Sequence, residues 1–565
     1  MTARDGAGGV NGPVNGPVND PVKGTVNGAR PASASGRAGL VTSPHGLASA
    51  AGRDVLRQGG NAIEAAIAIA AVLCVTMPHF TGLGGDGFWL LADGASGDAA
   101  PLAISGIGQA ARDLPPGLSN GDPIPVRGPA CALTSAATAA AWEAAYRVSR
   151  EQWGGTLSWA SLLAPAIAAA DDGFATSRSQ DFWYTYRAAE MVDASIWHGF
   201  ARTFLPEGRA PAAGERFRQP ALACTLRRLS DGGPREFYEG ELAARIARGL
   251  QSAGSPLTRE DLAATRVHVS PALTMPYAGG LLATLPPPTQ GVTTLQIMGI
   301  LARKGLEDCA HGSATYYHRL VEAVKQAFID RDRYVADPEF ADVPVTTMLS
   351  DARLRAAASR IDDGAALAWP HRFREGDTVY FAATDAAGRA VSVLQTIYFD
   401  WGSGVMAGDT GVLWHNRGAA FHPAGSAHPN ALMPGKRPFH TLNPGMYLQG
   451  GRPRLLYGTQ GADGQPQTLS ALLTRLIDYG MAPHEALSHP RFLLGRTFSD
   501  SRDNLKLESD AGPAVFAALA ELGHAVAPLP GHSPLAGQAG VIAIANDGLA
   551  TGAHDPRSDG AAMAV

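Results

Sequence analysis

The stretch Arg374-Glu375-Gly376-Asp377-Thr378-Val379-Tyr380-Phe381 leads into an extended apolar run. The turn Thr384-Asp385-Ala386-Ala387-Gly388-Arg389 follows, and then a second run, Ala390-Val391-Ser392-Val393-Leu394-Gln395-Thr396-Ile397-Tyr398. Two β-favouring runs joined by a short segment containing Asp and Gly predict a hairpin, with Thr378 opening its first strand. Residues 370–377, just ahead of it, are polar and expected on the surface.

Working outward toward the C-terminus, strands with period-two apolar spacing come first, then a loop rich in Gly, His, Pro and Asn over 415–430. A strand is expected at 454–457, a helix at 468–479 and a final strand near 541–545. Toward the N-terminus, a first strand is expected at 39–41. Helices follow at 46–58, closed by Gly59-Gly60, and at 62–75, capped by Asn61 with Glu64 in its first turn. A glycine loop, 81–87, precedes a strand at 88–92. Ala-rich helices cover much of 135–170, and further helices are expected at 239–252, 295–304 and 316–332. Residues 177–228 have mixed polarity and no clear period. Helices and strands alternating in blocks favour a layered α/β sandwich.

The chain has 565 residues, 45% hydrophobic and 17% charged, the balance of a globular protein. A net charge of −5 and a pI of about 6.3 do not suggest a nucleic-acid or anionic-membrane surface. Cys74, Cys131, Cys224 and Cys309 lie far apart without CxxC spacing, so buried thiols are expected rather than a zinc site or disulfides. Residues 1–37, with their Gly/Asn/Pro/Val repeats, read as a flexible low-complexity tail lacking the apolar core of a signal peptide. The longest apolar run, 65–77, is too short to span a bilayer and reads as a buried helix. No membrane or nucleic-acid partner is expected, and the expected location is cytoplasmic.

Gly82-Leu83-Gly84-Gly85-Asp86-Gly87 is not a dinucleotide fingerprint, because it follows a helix and precedes a strand. Its glycines are expected to let two backbones approach closely. His415, His422, His428 and His440 match no zinc template, and sequence-near carboxylates are scarce (Asp400, Asp409), so hydrogen-bonding or solvated roles are expected. No metal or cofactor is called for. Gly458-Thr459-Gln460-Gly461-Ala462-Asp463-Gly464-Gln465-Pro466-Gln467 lies between a strand and a helix. It reads either as a cradle of backbone N–H groups for an oxyanion or as a plain glycine turn.

Taken together, the chain from about residue 38 onward resembles the γ-glutamyltranspeptidase family of N-terminal-nucleophile hydrolases. The resemblance rests on Gly59-Gly60-Asn61-Ala62-Ile63-Glu64-Ala65-Ala66, Pro78-His79-Phe80-Thr81-Gly82-Leu83-Gly84-Gly85 and Pro286-Pro287-Pro288-Thr289-Gln290-Gly291. Further matches are Ala327-Phe328-Ile329-Asp330-Arg331-Asp332-Arg333-Tyr334, Gly402-Ser403-Gly404-Val405, Asn443-Pro444 and Asp555-Pro556-Arg557-Ser558-Asp559-Gly560. It implies an α+β, four-layer αββα sandwich built from a precursor that cleaves itself between Asp377 and Thr378. Residues 38–377 would form the large subunit and 378–565 the small one, a heterodimer whose further dimerisation stays open. By the same resemblance, the Thr378 hydroxyl is the nucleophile and its freed α-amine the proton acceptor, with a pKa of ~7.7–8 close to ambient pH. Thr396 would support the nucleophile, and the backbone N–H groups of Gly461 and Ala462 would hold the oxyanion. Alanine at the second position, where the family has glycine, narrows the allowed backbone angles.

Departures from the family bear on the substrate. The family's glutamyl-binding arginine segment corresponds to Leu102-Ala103-Ile104-Ser105-Gly106-Ile107-Gly108-Gln109, which has no arginine; its acid falls at Ala420, and its serine pair at His440-Thr441. Losing two or three charge-assisted hydrogen bonds of about 1.5–3 kcal/mol each weakens glutamyl binding by about two to five orders of magnitude. The chain therefore resembles the non-glutamyl branch, which includes oxamate amidohydrolase and cephalosporin-acylase-like proteins. Bulky Tyr398, Trp401, Phe439 and His440 are expected to fill the glutamyl space. A small amide such as oxamate is the expected substrate, hydrolysed to oxalate and ammonia, with Tyr398, Arg417, His440 and Thr441 as binding residues. The competing readings are a γ-glutamyltransferase or glutathione hydrolase, a cephalosporin-acylase-like amidase, and an uncleaved non-catalytic relative.

Overall fold

All nine residues of the strand Ala390–Tyr398 are buried, so this strand lies at the centre of the molecule with both faces covered. Its polar Gln395 is accommodated by an indole N–H from Trp142 (2.9 Å) and by donating to the Thr81 hydroxyl (2.8 Å). The computed structural model describes residues 33–94, 100–115, 121–193, 196–369, 377–495 and 503–565. The expectations for residues 1–32, and for an exposed tract over 370–376, lie outside the described residues.

The central hairpin pairs Asp377–Asp385 with Ala390–Tyr398 in antiparallel register. It sits within a seven-stranded sheet whose order is Ala561–Ala564, Gly39–Ser43, Asp377–Asp385, Ala390–Tyr398, Asp86–Ala92, Leu102–Gly106 and Val267–Pro271. A second seven-stranded sheet runs Ser33–Gly36, Ala550–His554, Ala539–Ile544, Arg452–Thr459, Gly445–Gln449, Gly280–Thr284 and Leu273–Tyr277. Phe88, Leu90, Tyr380 and Leu394 from the first sheet meet Ala283, Met446, Leu456 and Ile542 from the second in one core cluster.

Helices cover both outer faces. Gly46–Arg57, Ala62–Thr76 and Thr138–Gln152 pack on the sheet carrying the hairpin. Gly291–Lys304, Ala314–Tyr334 and Gln465–Leu473 pack on the other. The result is the expected α+β, four-layer αββα sandwich. Ala62–Thr76 is buried at every position, because it lies between the sheet and neighbouring helices, and Asn61 with Glu64 closes its N-terminus as a reciprocal capping box. Among the described residues, no helix is long and apolar enough to cross a membrane.

Several expectations are corrected. Residues 33–36, assigned to the tail, form a strand paired with Ala550–His554, a partner more than five hundred positions away that local composition could not reveal. The strand near 541–545 is not the last: Ala550–His554 and Ala561–Ala564 follow, each completing a sheet. The helix expected at 468–479 is α-helical over Gln465–Leu473 and continues as one π-helical turn, Thr474–Asp478. Residues 177–228 contain the helices Arg178–Arg187, Phe200–Phe204 and Pro220–Gly232. The four cysteines are unbridged, but Cys224 is exposed rather than buried.

Candidate active site

Thr378 is fully buried at the start of the hairpin's first strand. The ladder slips by one residue there, from Asp377 opposite Tyr398 to Val379 opposite Gln395. On the far side of the central strand, Thr396 faces Asp86. Thr378 and Asp86 thus stand two strand spacings apart, about 10 Å, with Thr396 between them. The Thr396 hydroxyl accepts the Tyr398 amide at 2.7 Å, which helps hold Tyr398 at a left-handed φ of 80°.

The glycine loop before Asp86 has the role expected of it. A Cβ on Gly85 would lie 2.0 Å from the Thr396 carbonyl oxygen, and one on Gly84 2.3 Å from that of Leu413. Two backbones can therefore close on the loop, and the His415 amide donates to the Gly84 carbonyl at 2.9 Å.

Asp86, which the sequence did not single out, organises this side. It accepts the Gly108 amide at 2.9 Å, lies 3.2 Å from His440 Nε2 and has His415 Nδ1 3.6 Å away. Burial alone would raise its pKa, but His415 and His440 outweigh that and hold it well below the usual carboxylate range. Burial, helped by Arg417, lowers the His440 pKa to about 3, against the pull of Asp86. His440 is therefore neutral near pH 7. It donates through Nε2 to Asp86 and leaves Nδ1 as a bare acceptor, with no partner among the described residues. Two of the four loop histidines thus have a carboxylate that sequence proximity could not supply. His422 and His428 stack on each other instead, with ring centroids 3.5 Å apart.

Arg417 is fully buried, its guanidinium carbon 3.5 Å from the Tyr398 ring centroid. None of its three side-chain nitrogens has a hydrogen-bond partner among the described residues. Burial pulls its pKa down to about 10, with Tyr398, Asp86 and Asp463 opposing the fall. A buried cation without a hydrogen-bond partner costs several kcal/mol, and an anion placed beside it would offset that cost. Thr441 Oγ1 is likewise buried without a partner.

The loop after Arg452–Thr459 adopts a left-handed turn, with φ of 118° at Gly461 and 46° at Ala462. Neither residue's amide donates to another group among the described residues, as an oxyanion cradle requires. Gln465, at the start of the next helix, reaches Thr378 Oγ1 through Nε2 at 3.5 Å. Gln290, from the Pro-Pro-Pro-Thr-Gln-Gly stretch, ties the site together. Its Nε2 donates to the carbonyls of Thr441 (2.7 Å) and Ala462 (2.8 Å), while Arg331 donates both to Gln290 and to Asp463. Beside this loop opens a cavity of about 160 Å³ lined by Arg331, Asp332, Ala420, His422, Phe439 and Asp463.

Thr378, Thr396, Tyr398, Arg417, His440, Thr441, Gly461 and Ala462 are therefore gathered in one region. Trp401 is not among them: its ring packs against His79, Tyr184, Phe200 and Phe204, in the helical layer. Gln290, Gln465 and Asp86 were missed as site residues, although all three lie inside stretches already singled out. As for metals, His318, Glu322 and His524 bring ligand atoms within 4.8 Å of one another. Glu322 already holds the Lys325 ammonium (2.7 Å), and the two histidines are bonded to each other (2.8 Å), so this is a satisfied polar junction.

The αββα layers, with a buried Thr378 hydroxyl within reach of Gln465 on the helix after the Gly461-Ala462 turn, suit an amide-cleaving hydrolase. Residues 48–565 match the family model described as gamma-glutamyltranspeptidase, and the chain belongs to that family. It is 46% identical over 525 residues to the oxamate amidohydrolase proenzyme of Klebsiella pneumoniae, covering 93% of this chain and 98% of that one. It is 41% identical over 529 residues to the glutathione hydrolase-like YwrD proenzyme of Bacillus subtilis, again covering 93% and 98%. Among solved structures, the cephalosporin acylase from Bacillus halodurans superposes with a TM-score of 0.86 at 30% identity, covering 96% of this chain and 98% of that one. The protein is an amidohydrolase of this family.

Proposed function

We propose that the protein cleaves itself between Asp377 and Thr378, and that the resulting heterodimer of residues 38–377 and 378–565 hydrolyses oxamate to oxalate and ammonia. The observation that carries the substrate is Arg417: a buried guanidinium with no nitrogen bonded among the described residues, in a chain whose resemblance to the family implies loss of the glutamyl-binding charges. The substrate carboxylate pairs with Arg417 above the Tyr398 ring, and the Thr441 hydroxyl can add a further bond. Neutral His440, fixed by Asp86, offers its bare Nδ1 to an amide N–H. The name of the Klebsiella relative points to the same compound.

In this scheme the freed α-amine of Thr378 accepts the hydroxyl proton as Oγ1 attacks the amide carbon. The Gly461 and Ala462 amides receive the charge on the carbonyl oxygen. The C–N bond breaks, the α-ammonium returns its proton to the leaving nitrogen, and ammonia departs. Water then attacks the ester, releasing oxalate and restoring the hydroxyl. One water is consumed for each amide cleaved.

The test combines intact-mass analysis with ammonia release from oxamate, for wild type and Thr378→Ala. Two fragments with the shorter beginning at Thr378, turnover by wild type, and an uncleaved inert variant are the expected results. Cleavage elsewhere rejects the nucleophile. Processed protein that releases a chromogenic amine from a γ-glutamyl anilide, but no ammonia from oxamate, rejects the substrate. A stable full-length band in wild type identifies a non-catalytic relative.

A further inference from the structure

Of the two halves of the proposed carboxylate receptor, Tyr398 ends the central strand and Arg417 opens a separate short helical turn, and a single segment of the proposed large subunit bonds to the residues beside both. Arg127 has a side chain 10% exposed and donates to the carbonyls of Asp400 and Gly402, each at 2.6 Å, and to the Asp400 carboxylate at 2.9 Å. Asp400 is fully buried, and Arg187 grips its carboxylate through Nε and a terminal nitrogen at 2.8–3.1 Å. The Gly128 amide donates to the Ser403 carbonyl at 2.8 Å. These bonds fix the loop that follows Tyr398. It needs fixing, because Tyr398 and Trp401 both hold positive φ, 80° and 58°, a backbone region that strains residues with a side chain.

The same segment grips the Arg417 loop. The Val126 carbonyl accepts Asn416 Nδ2 at 2.7 Å, and Asn416 Oδ1 accepts the Phe399 amide at 3.0 Å, linking the two loops directly. A Cβ on Gly418 would lie 2.5 Å from the Cys131 carbonyl oxygen, so the backbone next to Arg417 rests on the segment's far end. Ile124 and Cys131 share a buried cluster with Phe421.

We infer that residues 124–131 act as a strap that sets Tyr398 and Arg417 in register for the substrate carboxylate, with Arg127 as its principal positioning residue. This rests on Arg417 being the carboxylate receptor. A guanidinium suits the task, because its fixed fork spans two carbonyls and a carboxylate at once, which a lysine ammonium cannot. The strap belongs to the large subunit and the receptor to the small one, so the acid-binding geometry depends on both fragments staying together.

Two readouts test this on full-length, processed protein. The first is hydrogen exchange without ligand, comparing wild type with Arg127→Met. The strap predicts faster exchange at 398–403 and at 415–420 together, whereas a local loss confined to 398–403 overturns it. The second is steady-state hydrolysis of oxamate. KM should rise about tenfold or more while kcat stays within about threefold, with Arg127→Lys in between. An unchanged KM, or a kcat loss at constant KM, also overturns the inference. If wild type fails to turn over oxamate, the proposed function fails, and the exchange comparison still decides the strap. Should Arg127→Met not yield folded protein, Asn416→Asp removes the donor to the Val126 carbonyl while keeping an oxygen for the Phe399 amide, and is read by the same two criteria.

Discussion

Arg417 is where stability and function pull in opposite directions. Its guanidinium is buried with no hydrogen-bond partner among the described residues, so it carries a desolvation cost that a paired anion would offset. Replacing it with the similarly shaped but neutral Met removes that cost, and Arg417→Met should melt no lower than wild type. Its KM for oxamate should rise by about two to four orders of magnitude, from two charge-assisted bonds of about 1.5–3 kcal/mol each. Tyr398 supplies its ring face to Arg417, at about 0.5–2 kcal/mol. Tyr398→Leu should therefore raise KM about two- to thirtyfold, less than the arginine change. Thermal melts and Michaelis curves for the two variants check the order. A melting temperature that drops sharply in Arg417→Met would mean the side chain is structural.

Between elements, the decisive contacts are backbone against backbone. Gly85 lies against Thr396, and the listening point for this packing is the central strand itself, where the obstructing atom is a carbonyl oxygen rather than a movable side chain. Gly85→Ala should cost about 1–3 kcal/mol or more and displace Asp86 from His440 and His415. The checks are a lower denaturant midpoint and loss of oxamate turnover in whatever protein stays folded; a variant with wild-type midpoint and activity would contradict the close packing. This loop also marks how far the sequence could be read. Its glycines announced a close approach, and Asn61 with Glu64 announced a helix start, because each is a short-range pattern. Nothing local tied Asp86 to His440, 354 positions away, or gave Gln290 its bonds to Thr441 and Ala462. Those contacts exist only once the sheets have stacked, and the same holds for Ser33–Gly36 and its distant partner strand. Trp401 was misplaced for a related reason: it sits in the turn after the central strand, at a φ of 58°, and distant helices decide which way its ring points.

At the scale of the whole molecule, buried neutral histidines set the response to acid. His45 and His554 have pKa values lowered to about 4, and His79 and His440 to about 3. Burial is the main cause in each; nearby Asp559, Asp555 and Asp400 oppose it for His45, His554 and His79 respectively. In the unfolded chain each titrates near ~6.5, so between that pH and the folded value the unfolded state binds more protons. Their stabilisation is complete above about 6.5 and is lost as pH falls toward 4, at about 1.4 kcal/mol per pH unit for each histidine. The buried carboxylates Asp400 and Asp555, whose pKa values are lowered in the fold, act in a different window. Burial alone would raise them, but paired arginines prevail, and their contribution persists until the pH falls below about 3.9. Stability should therefore decline from pH 6.5 to 4.5, before Asp400 and Asp555 lose their contribution. His554 isolates one share of that slope, since it lies outside the site and bonds only the Thr42 hydroxyl, at 3.1 Å, through its side chain. Denaturant unfolding across this range should give His554→Gln a decline shallower than wild type by about 1.4 kcal/mol per pH unit. A wild-type midpoint that stays constant between pH 7 and 5 would show that these histidines charge without unfolding the chain.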